Sequence, residues 1–416
     1  MSKKILIHSL VFSPDGVSTA YLYNDIALKF KDAGFDVVVL TTTPHYNVVQ
    51  SEIEKQPLKK KAFGLYYESN FNGIIVKHVY QKKYKSTVLR LLGFIYWHVI
   101  SFFLGLCEKK VDIILSPSPP LTIGFLNILI GKLKGAKVIY NVQEIYPDLL
   151  IEEGGLRSRP VISFLKWMER FVYNSSDAAI TIDRVFYDTI VNRFKNKSKL
   201  HIIPNFVDTE IYRPIDKSAL NIDRKLFPET PSLKLMYAGN IGHAQDWKPL
   251  IAFAEELKND PVEFFVIGEG VMKDYLSKEK KDKQLDKLHL FPYQPRESIP
   301  TLLAYSDMQF IFMAPETEGH GFPSKVYTVM ACAKPLLVFS GARTPIISFL
   351  ENKDCAFLVT EKDFQLKVKQ AADIIRNASS ESLRQKGLNG FKCIENAYSK
   401  QVVTQQYVDL VIRFFN

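Results

Sequence analysis

The chain has 416 residues, of which 47% are hydrophobic and 24% charged, and this composition excludes an intrinsically disordered protein. The length predicts two domains. The formal net charge is +10, and the whole excess lies in the first half, because residues 1–205 hold 27 Lys and Arg against 17 Asp and Glu, whereas the remaining residues hold 27 of each. A basic half of this kind suits an anionic partner, with a merely solubilising surface as the alternative.

The four cysteines, at positions 107, 332, 355 and 393, have neither metal-binding nor redox spacing. They indicate a reduced compartment without a disulfide framework. At the start, MSKKILIHSLVF places lysines before an apolar run, but no small-residue cleavage site follows. We therefore expect a first β-strand there and not a signal peptide.

Short apolar runs alternate with helical stretches along the chain. A first series of strands is predicted at KILIHSL, DVVVLTT, GIIVKHV, VDIILSPS, AKVIYNV, AAITID and LHIIPN. After a polar segment typical of a linker, a second series follows at LKLMYAG, VEFFVIG, LHLFPY, MQFIFMA, PLLVFSG and CAFLVT. This pattern predicts two doubly wound α/β domains with parallel sheets. Since ligands bind such sheets at the carboxyl ends of strands, polar residues that follow the strands are the site candidates.

The first candidate loop, SPDGVST, follows the first strand directly. Gly16 would let the backbone approach an acceptor or a phosphate closely, and Ser18 or Thr19 could cap the next helix. An ordinary turn is the alternative interpretation of this stretch.

The segment 77–110 combines a basic flank with an apolar, aromatic-rich run. Its basic residues come first: Lys82, Lys83, Lys85 and Arg90. This order is typical of attachment to an anionic membrane surface. The alternative for the apolar run 91–107 is a helix packed under the N-terminal sheet, and we do not expect so short a run to span a bilayer.

A second loop, in YNVQEIYPDLL, carries Gln143, Glu144 and Asp148 after a buried strand. Side chains of this kind could orient acceptor hydroxyls or act as a base. Glu144 could instead cap a helix.

A third loop lies in YAGNIGHAQDWKPL, where Gly239, Asn240 and Gly242 allow close approach of the backbone to a ligand. His243 and Lys248 add hydrogen-bond donors beside a predicted helix start, and this combination suits a diphosphate. The chain has neither GxGxxG nor GxxxxGK[ST], so the dinucleotide and P-loop interpretations lack a motif.

A fourth loop, PETEGHGFPSKVYTVMACAKP, joins a buried strand to a helix that we expect to begin near Ser324. Glu316 or Glu318 would accept hydrogen bonds from sugar hydroxyls. The helix start would direct its positive end toward a phosphate. Backbone amides of the next four residues can approach the same ligand: Gly319, His320, Gly321 and Phe322.

The motifs YAGNIG, VIGEG, FPYQP with IPTLLAYSD, and EGHGFPSKVYTVMACAKP together resemble the retaining glycosyltransferases of family 4, over essentially the whole chain. The chain is most similar to bacterial members that build surface polysaccharides. This resemblance implies the GT-B fold, with two Rossmann-like domains facing across a cleft. Residues 1–210, joined by the C-terminal helix 397–416, would bind the acceptor, and residues 211–396 would bind the nucleotide-sugar donor.

Loop reasoning and the resemblance together give three sets of site residues. The catalytic set is Glu144, His243, Lys248, Glu316 and Glu318. The donor-binding set is Gly239, Asn240, Gly242, Glu269, Tyr293, Gly319, His320, Gly321, Phe322, Lys325 and Thr328. The acceptor-side set is Gly16, Gln143 and Asp148. Within these sets the resemblance implies that Asn240, His243 and Lys248 hold the donor diphosphate.

The chain departs from the family pattern at the acidic motif, in which seven residues lie between two glutamates. Thr328 occupies the second position, and a threonine cannot accept two ribose hydroxyls as a carboxylate does. The first position is open between Glu318 and His320.

The resemblance implies transfer of a hexosyl or N-acetylhexosaminyl group, with retention, from a UDP-sugar or other nucleotide diphosphate sugar. The acceptor would be a polyprenyl-diphosphate-linked or other precursor of a surface glycan such as O-antigen or capsule. No Asp-x-Asp occurs, so we expect neither a metal nor another cofactor. We expect a cytoplasmic enzyme, peripheral on the inner face of the cytoplasmic membrane, with no nucleic-acid partner.

Two alternatives keep the fold but change the activity. One is a non-catalytic sugar-nucleotide-binding protein, which the threonine at position 328 would suit. The other is a GT-B nucleotide-sugar epimerase, which would need no acceptor.

Overall fold

The computed structural model describes residues 2–152, 154–318 and 322–415, and it divides the chain into two compact units. The first unit comprises Met1–Asn205 and Val403–Asn416, and the second comprises Phe206–Val402. The sequence had placed the two boundaries after residues 210 and 396. Each unit has its own sheet and its own core.

The first unit is built on a sheet to which the described residues contribute nine strands. In chain order these are β1 (Lys4–His8), β2 (Asp36–Thr42), β3 (Lys59–Lys61), β4 (Tyr66–Phe71), β5 (Ile74–Val79), β6 (Ile113–Pro117), β7 (Lys137–Val142), β8 (Ala178–Thr181) and β9 (Leu200–Ile202). The order across the sheet is β3-β4-β5-β2-β1-β6-β7-β8-β9. The pairs β3–β4 and β4–β5 are antiparallel, and every other recorded pair in this sheet is parallel.

The helices of the first unit follow the strands in alternation. They are α1 (Ser18–Asp32), α2 (Gln50–Lys55), α3 (Thr87–Cys107), α4 (Leu121–Lys134), α5 (Asp148–Glu152), α6 (Arg159–Ser175) and α7 (Arg184–Ile190). The expectation that Ser18 or Thr19 caps α1 was wrong, because Val17 is the N-cap residue and no side chain caps this helix end.

Helices α3, α4 and α6 lie side by side in one layer over the sheet. α3 packs on β2 and β5 and touches α4, which packs on β6 and β7 and touches α6. The contacts are close: a Cβ on Gly105 of α3 would meet Ile130 of α4 at 2.8 Å, and one on Gly124 of α4 would meet Val172 of α6 at 2.9 Å. The interpretation of 91–107 as a helix packed under the sheet is therefore confirmed for the inner face of α3, where Trp97 is buried.

The second unit is built on a parallel sheet to which the described residues contribute six strands, in the order β12-β11-β10-β13-β14-β15. These are β10 (Leu233–Ala238), β11 (Val262–Ile267), β12 (Leu288–Phe291), β13 (Met308–Phe312), β14 (Leu336–Phe339) and β15 (Ala356–Val359). The strand order reverses at β10, which lies between β11 and β13. Ligands of doubly wound sheets bind at the carboxyl ends of strands beside such a reversal.

The remaining helices surround this second sheet and close the chain. They are α8 (Trp247–Glu256), α9 (Lys273–Asp282), α10 (Ile299–Tyr305), α11 (Lys325–Ala331), α12 (Pro345–Leu350), α13 (Phe364–Asn377), α14 (Ser380–Cys393) and α15 (Lys400–Ile412). All the apolar runs predicted as strands in both series are strands. β3 and β4 were missed, because KKK and YYESNF lack the apolar alternation that predicts a strand.

Candidate functional site

A cavity of about 260 Å³ opens in the second unit at the reversal point of its sheet. It lies at the carboxyl ends of β10 and β11, where the position of a ligand is expected in this fold class. Four of the predicted donor-binding residues line it: Gly239, Tyr293, Lys325 and Thr328. The structure thus brings together residues that are up to 89 positions apart in the sequence.

Two glycines form one wall of the cavity where the chain leaves β10 and β11. Gly239 and Gly268 both have φ near +150°, a conformation that L side chains rarely adopt. A Cβ on Gly268 would lie 1.9 Å from the carbonyl oxygen of Gly239, so the two backbones pass too closely for any side chain. The Gly239 amide also donates to the carbonyl of Ile267 at 2.9 Å, which joins the two loops.

Aromatic side chains hold the loop after β10 in place. The Tyr237 hydroxyl donates to the carbonyl of Asn240 at 2.7 Å, and the Trp247 indole donates to the carbonyl of Gly242 at 2.8 Å. The two rings meet edge to face with centroids 5.1 Å apart. The loop after β10 is therefore held by hydrogen bonds from these two side chains to its own carbonyl groups.

Lys325, the first residue of α11, provides the cation of this cavity. Its ammonium lies 3.6 Å from the centroid of the Tyr237 ring and 3.3 Å from the carbonyl oxygen of Ala238. Among the described residues, no carboxylate forms an ion pair with it. Because burial removes water and no carboxylate compensates, the pKa of Lys325 is lowered to about 7.

The two side chains that the sequence analysis assigned to the diphosphate, His243 and Lys248, lie outside the cavity lining. Both side chains are exposed. The backbone amide of Lys248 donates to Asp246, the N-cap residue of α8. Glu269 is also exposed and forms an ion pair with Lys273 at 2.6 Å. Their roles in binding stay predictions.

The loop that joins β13 to α11, called the acidic loop for its Glu316 and Glu318, is anchored through the Glu318 carboxylate. This group accepts hydrogen bonds from the backbone amide of Gly341 at 2.6 Å and from the Ser340 hydroxyl at 3.2 Å. This ties the turn after β13 to the loop after β14. Glu316 is exposed, and Gly319, His320 and Gly321 lie outside the described residues.

The end of the acidic loop packs into the core of the second unit. The Phe322 ring contacts the rings of Tyr327 and Phe349 at centroid distances of 5.2 and 5.0 Å. α11 begins next to Ser324, as predicted, but it is only seven residues long and Ser324 makes no capping hydrogen bond. The cation at its first residue is therefore a stronger candidate for phosphate binding than its dipole.

The predicted acceptor-side residues lie in the first unit and are held by local contacts. Gln143 accepts from the Asn205 amide at 3.0 Å and donates to Asn141 at 3.2 Å. The Gly16 amide donates to the carbonyl of Asn47 at 2.9 Å. Glu144 also has an interaction partner. These contacts fix the loops, and the acceptor roles stay predictions.

Asp148 forms an ion pair whose partner the sequence did not indicate. Its carboxylate contacts the Arg193 guanidinium at 2.5 Å, and the same guanidinium contacts the buried Glu169 at 2.5 Å. Burial raises the pKa of Glu169, and the Arg193 charge opposes that shift. Asp148 therefore stabilises α5 against the rest of the unit.

The cavity lining also includes residues outside the predicted donor-binding set, among them Gly268 and Tyr237. Gly268 could have been found by the same signal as Gly239, since each glycine directly follows a buried strand. Tyr237 faces the cavity from within a strand, and nothing in the sequence distinguishes it from a core residue.

Comparison with known proteins gives two family models that together match most of the chain. The model described as glycosyltransferase family 4 matches residues 21–211, and the model described as glycosyl transferases group 1 matches residues 219–390. The cavity residues named above from Gly239 to Thr328 all lie within the second match.

Individual relatives are distant but cover much of the chain. A putative colanic acid biosynthesis glycosyl transferase, WcaI of Escherichia coli K12, is 23% identical over 84% of this chain and 86% of its own. A probable glycosyltransferase, WbjE of Pseudomonas aeruginosa, is 25% identical over 55% of this chain and 57% of its own. The crystal structure of HepE of Anabaena in complex with UDP superposes with a TM-score of 0.71 at 12% identity, covering 99% of this chain and all of that one. The structural likeness shows the fold.

Proposed function

Because the chain belongs to glycosyltransferase family 4 and has the GT-B fold, as its sequence predicted, we propose that it moves a sugar, with retention, from a nucleotide diphosphate sugar to a lipid-linked precursor of a surface polysaccharide. A UDP-sugar is the donor that we favour, since HepE binds UDP. A polysaccharide acceptor is supported by the name of WcaI. The sugar would be a hexosyl or N-acetylhexosaminyl group.

The observation that carries this proposal is the Lys325 ammonium in the cavity at the reversal point. Among the residues 2–152, 154–318 and 322–415, its contacts are an aromatic ring and one carbonyl, which would leave further N–H groups to donate to an anion. A diphosphate placed beside Gly239 would give this cation its counter-charge. Tyr293 and Thr328, on the same cavity, would contact the base and a ribose hydroxyl.

In this proposal the reaction begins with departure of the nucleoside diphosphate from the anomeric carbon. The sugar becomes oxocarbenium-like while negative charge grows on the leaving phosphate oxygens. A positive charge already positioned there stabilises that transition state more than the ground state. Lys325 would have this role. Glu318, which already holds the loop beside β14, would orient sugar hydroxyls.

The acceptor side would lie at an anionic membrane surface, in line with the predicted peripheral location on the cytoplasmic membrane. α3 has 21 residues, and an 18-residue window of it has a mean hydropathy of 1.6, yet only 17% of that window is buried. Its exposed stripe is long and apolar: Val88, Leu92, Ile95, Val99 and Phe103. The lysines before it and an anionic bilayer are complementary in charge.

Donor screening with the full chain tests the proposed function. We expect one sugar nucleotide, a UDP-sugar, to bind, and its nucleoside diphosphate to be released faster when vesicles containing a polyprenyl-diphosphate-linked sugar are added. Release of free epimerised sugar without any acceptor would establish the epimerase instead. Binding without release under every condition would establish the non-catalytic protein.

A further inference from the structure

Helix α6 exposes a face that a folded domain normally buries. Its inner side packs Met168, Val172 and Tyr173 into the core of the first unit. Its outer side leaves Phe164 and Trp167 52% and 54% exposed. Single exposed apolar residues are common, but large aromatic residues that are exposed next to one another often mark a binding surface.

The exposed aromatic residues of α6 form an ordered stack with the half-buried Phe171. Phe164 and Trp167 stack with centroids 5.8 Å apart, and Trp167 stacks on Phe171 at the same distance. Phe125 of α4 supports the stack from the side, 6.4 Å from the Trp167 ring. Since the rings are already held by one another, little side-chain entropy is lost when a partner covers them.

The charges on the outer side of α6 have one sign. Arg159, Lys166 and Arg170 are exposed, whereas Glu169, the single acid of the helix, is 2% exposed and paired with Arg193. A depression of about 620 Å³ beside the stack is lined by Arg170 and Lys195 as well as Trp167. Aromatic rings flanked by lysine and arginine are the composition of helices that lie in the interface of anionic membranes.

The position of α6 in the layer links it to α3. Because α3, α4 and α6 lie side by side over one face of the sheet, the outer sides of α3 and α6 point away from the same face. Between them α4 is less exposed, because its residues 121–131 are buried or half-buried and only Lys132 and Leu133 at its C-terminal end are exposed. One planar surface can therefore contact both outer helices.

We propose that α6 is a second membrane-contact element, which places its Phe164–Trp167–Phe171 stack among the headgroups of an anionic bilayer. This inference rests on the proposed membrane contact of α3. Two separate helices that touch one bilayer bind more tightly than either alone, and they also fix the orientation of the unit on the surface. Segment 77–110 by itself would leave the unit free to rotate about the α3 axis.

The chain contains its own probe for this contact. Of its three tryptophans, Trp97 and Trp247 are 0% and 3% exposed, so a change in fluorescence on membrane binding reports on Trp167. We expect vesicles of phosphatidylcholine with phosphatidylglycerol to shift the emission to the blue, and lipids brominated near the headgroup to quench it. Pure phosphatidylcholine should have little effect, and the shift should weaken as salt is raised. The Trp167→Phe variant should bind vesicles without the shift.

Vesicle sedimentation distinguishes the contribution of α6 to membrane binding from that of α3. The double variant Phe164→Ser, Trp167→Ser should weaken binding about tenfold and leave the affinity for UDP unchanged, whereas Leu366→Ser, at an exposed apolar residue of α13, should change neither. Normal sedimentation of this double variant, or of wild type without a Trp167 shift, would overturn the α6 contact and leave α3 as the only anchor. Absence of all sedimentation would overturn both contacts. A shift that depends on protein concentration without vesicles would assign the face to a second copy of the chain.

Discussion

Two half-buried lysines, Lys325 at the start of α11 and Lys334 three residues past its end, have opposite surroundings. The ammonium of Lys334 donates to the carbonyls of Ala304 at 3.0 Å and Ser306 at 2.7 Å, at the C-terminal end of α10. Burial lowers its pKa to about 8. The ammonium of Lys325 has one long carbonyl contact and an aromatic ring, faces a cavity, and has its pKa lowered to about 7.

This difference in hydrogen-bond partners distinguishes a structural cation, Lys334, from a candidate ligand-binding cation, Lys325. Lys334 satisfies carbonyl groups that the end of a helix leaves without partners, so its charge is already used within the fold. Among the described residues, the Lys325 ammonium has one carbonyl acceptor, and it lines a cavity together with Gly239 and Gly268. Burial of a lysine therefore does not indicate function by itself. Burial together with free donors at a cavity does.

The largest effect should come from Lys325→Met. We expect the affinity for nucleoside diphosphate to fall strongly and turnover to fall about 100- to 1,000-fold, because a preorganised positive charge is lost at the leaving group. Thermal stability should be unchanged or higher, since methionine has no charge to desolvate. Calorimetric titration with UDP, steady-state rates and thermal melting would measure the three quantities.

The variant Lys248→Met tests, in the same assays, the sequence-based assignment of Lys248 to the donor diphosphate. Lys248 is exposed and lies outside the cavity lining. A larger loss of UDP affinity at Lys248 than at Lys325 would move the diphosphate to the loop before α8 and contradict the cavity as the donor site.

The next largest effect should come from Lys334→Met, and it should be on stability. Removing the ammonium leaves the carbonyls of Ala304 and Ser306 without their donor, which costs about 1–3 kcal/mol in the free energy of unfolding. Affinity for UDP should stay within about twofold of wild type. Chemical denaturation and calorimetric titration would test both parts, and a large loss of affinity in a folded variant would erase the distinction between the two lysines.

The sequence predicted the fold well because apolar runs are a local signal. Every predicted strand exists, and the missed β3 and β4 are short or polar strands at one end of their sheet. The order of the strands is not a local property. The reversal at β10 became visible only in the structure, although the sequence had predicted that the donor would bind at strand ends of this sheet.

The site was harder to predict, because burial and long-range pairing decide the role of a charged residue. Lys248 and Lys325 each stand at the start of a helix that follows a strand end, so the sequence treats them alike, yet one is exposed and the other faces the cavity. Asp148 looked available to an acceptor until its pairing with Arg193, 45 residues away, was known. Gly239 was predictable, because its signal is its place after a strand.

The last prediction is the dependence of UDP binding on pH, and it is the most specific test of the comparison between Lys325 and Lys334. Free Lys325 loses its proton near pH 7, and a bound diphosphate should raise the pKa of Lys325 because the anion favours the ammonium form. Above about pH 7, binding must therefore take up a proton. The dissociation constant should be flat just below that pH and rise by up to about tenfold per pH unit above it, until the pKa of the bound state is passed. Lys325→Arg, charged throughout, should remove this rise, whereas Lys334→Met should keep it. A wild-type affinity that stays constant from pH 7 to pH 9 would show that no proton accompanies UDP, and Lys325 would then be as structural as Lys334.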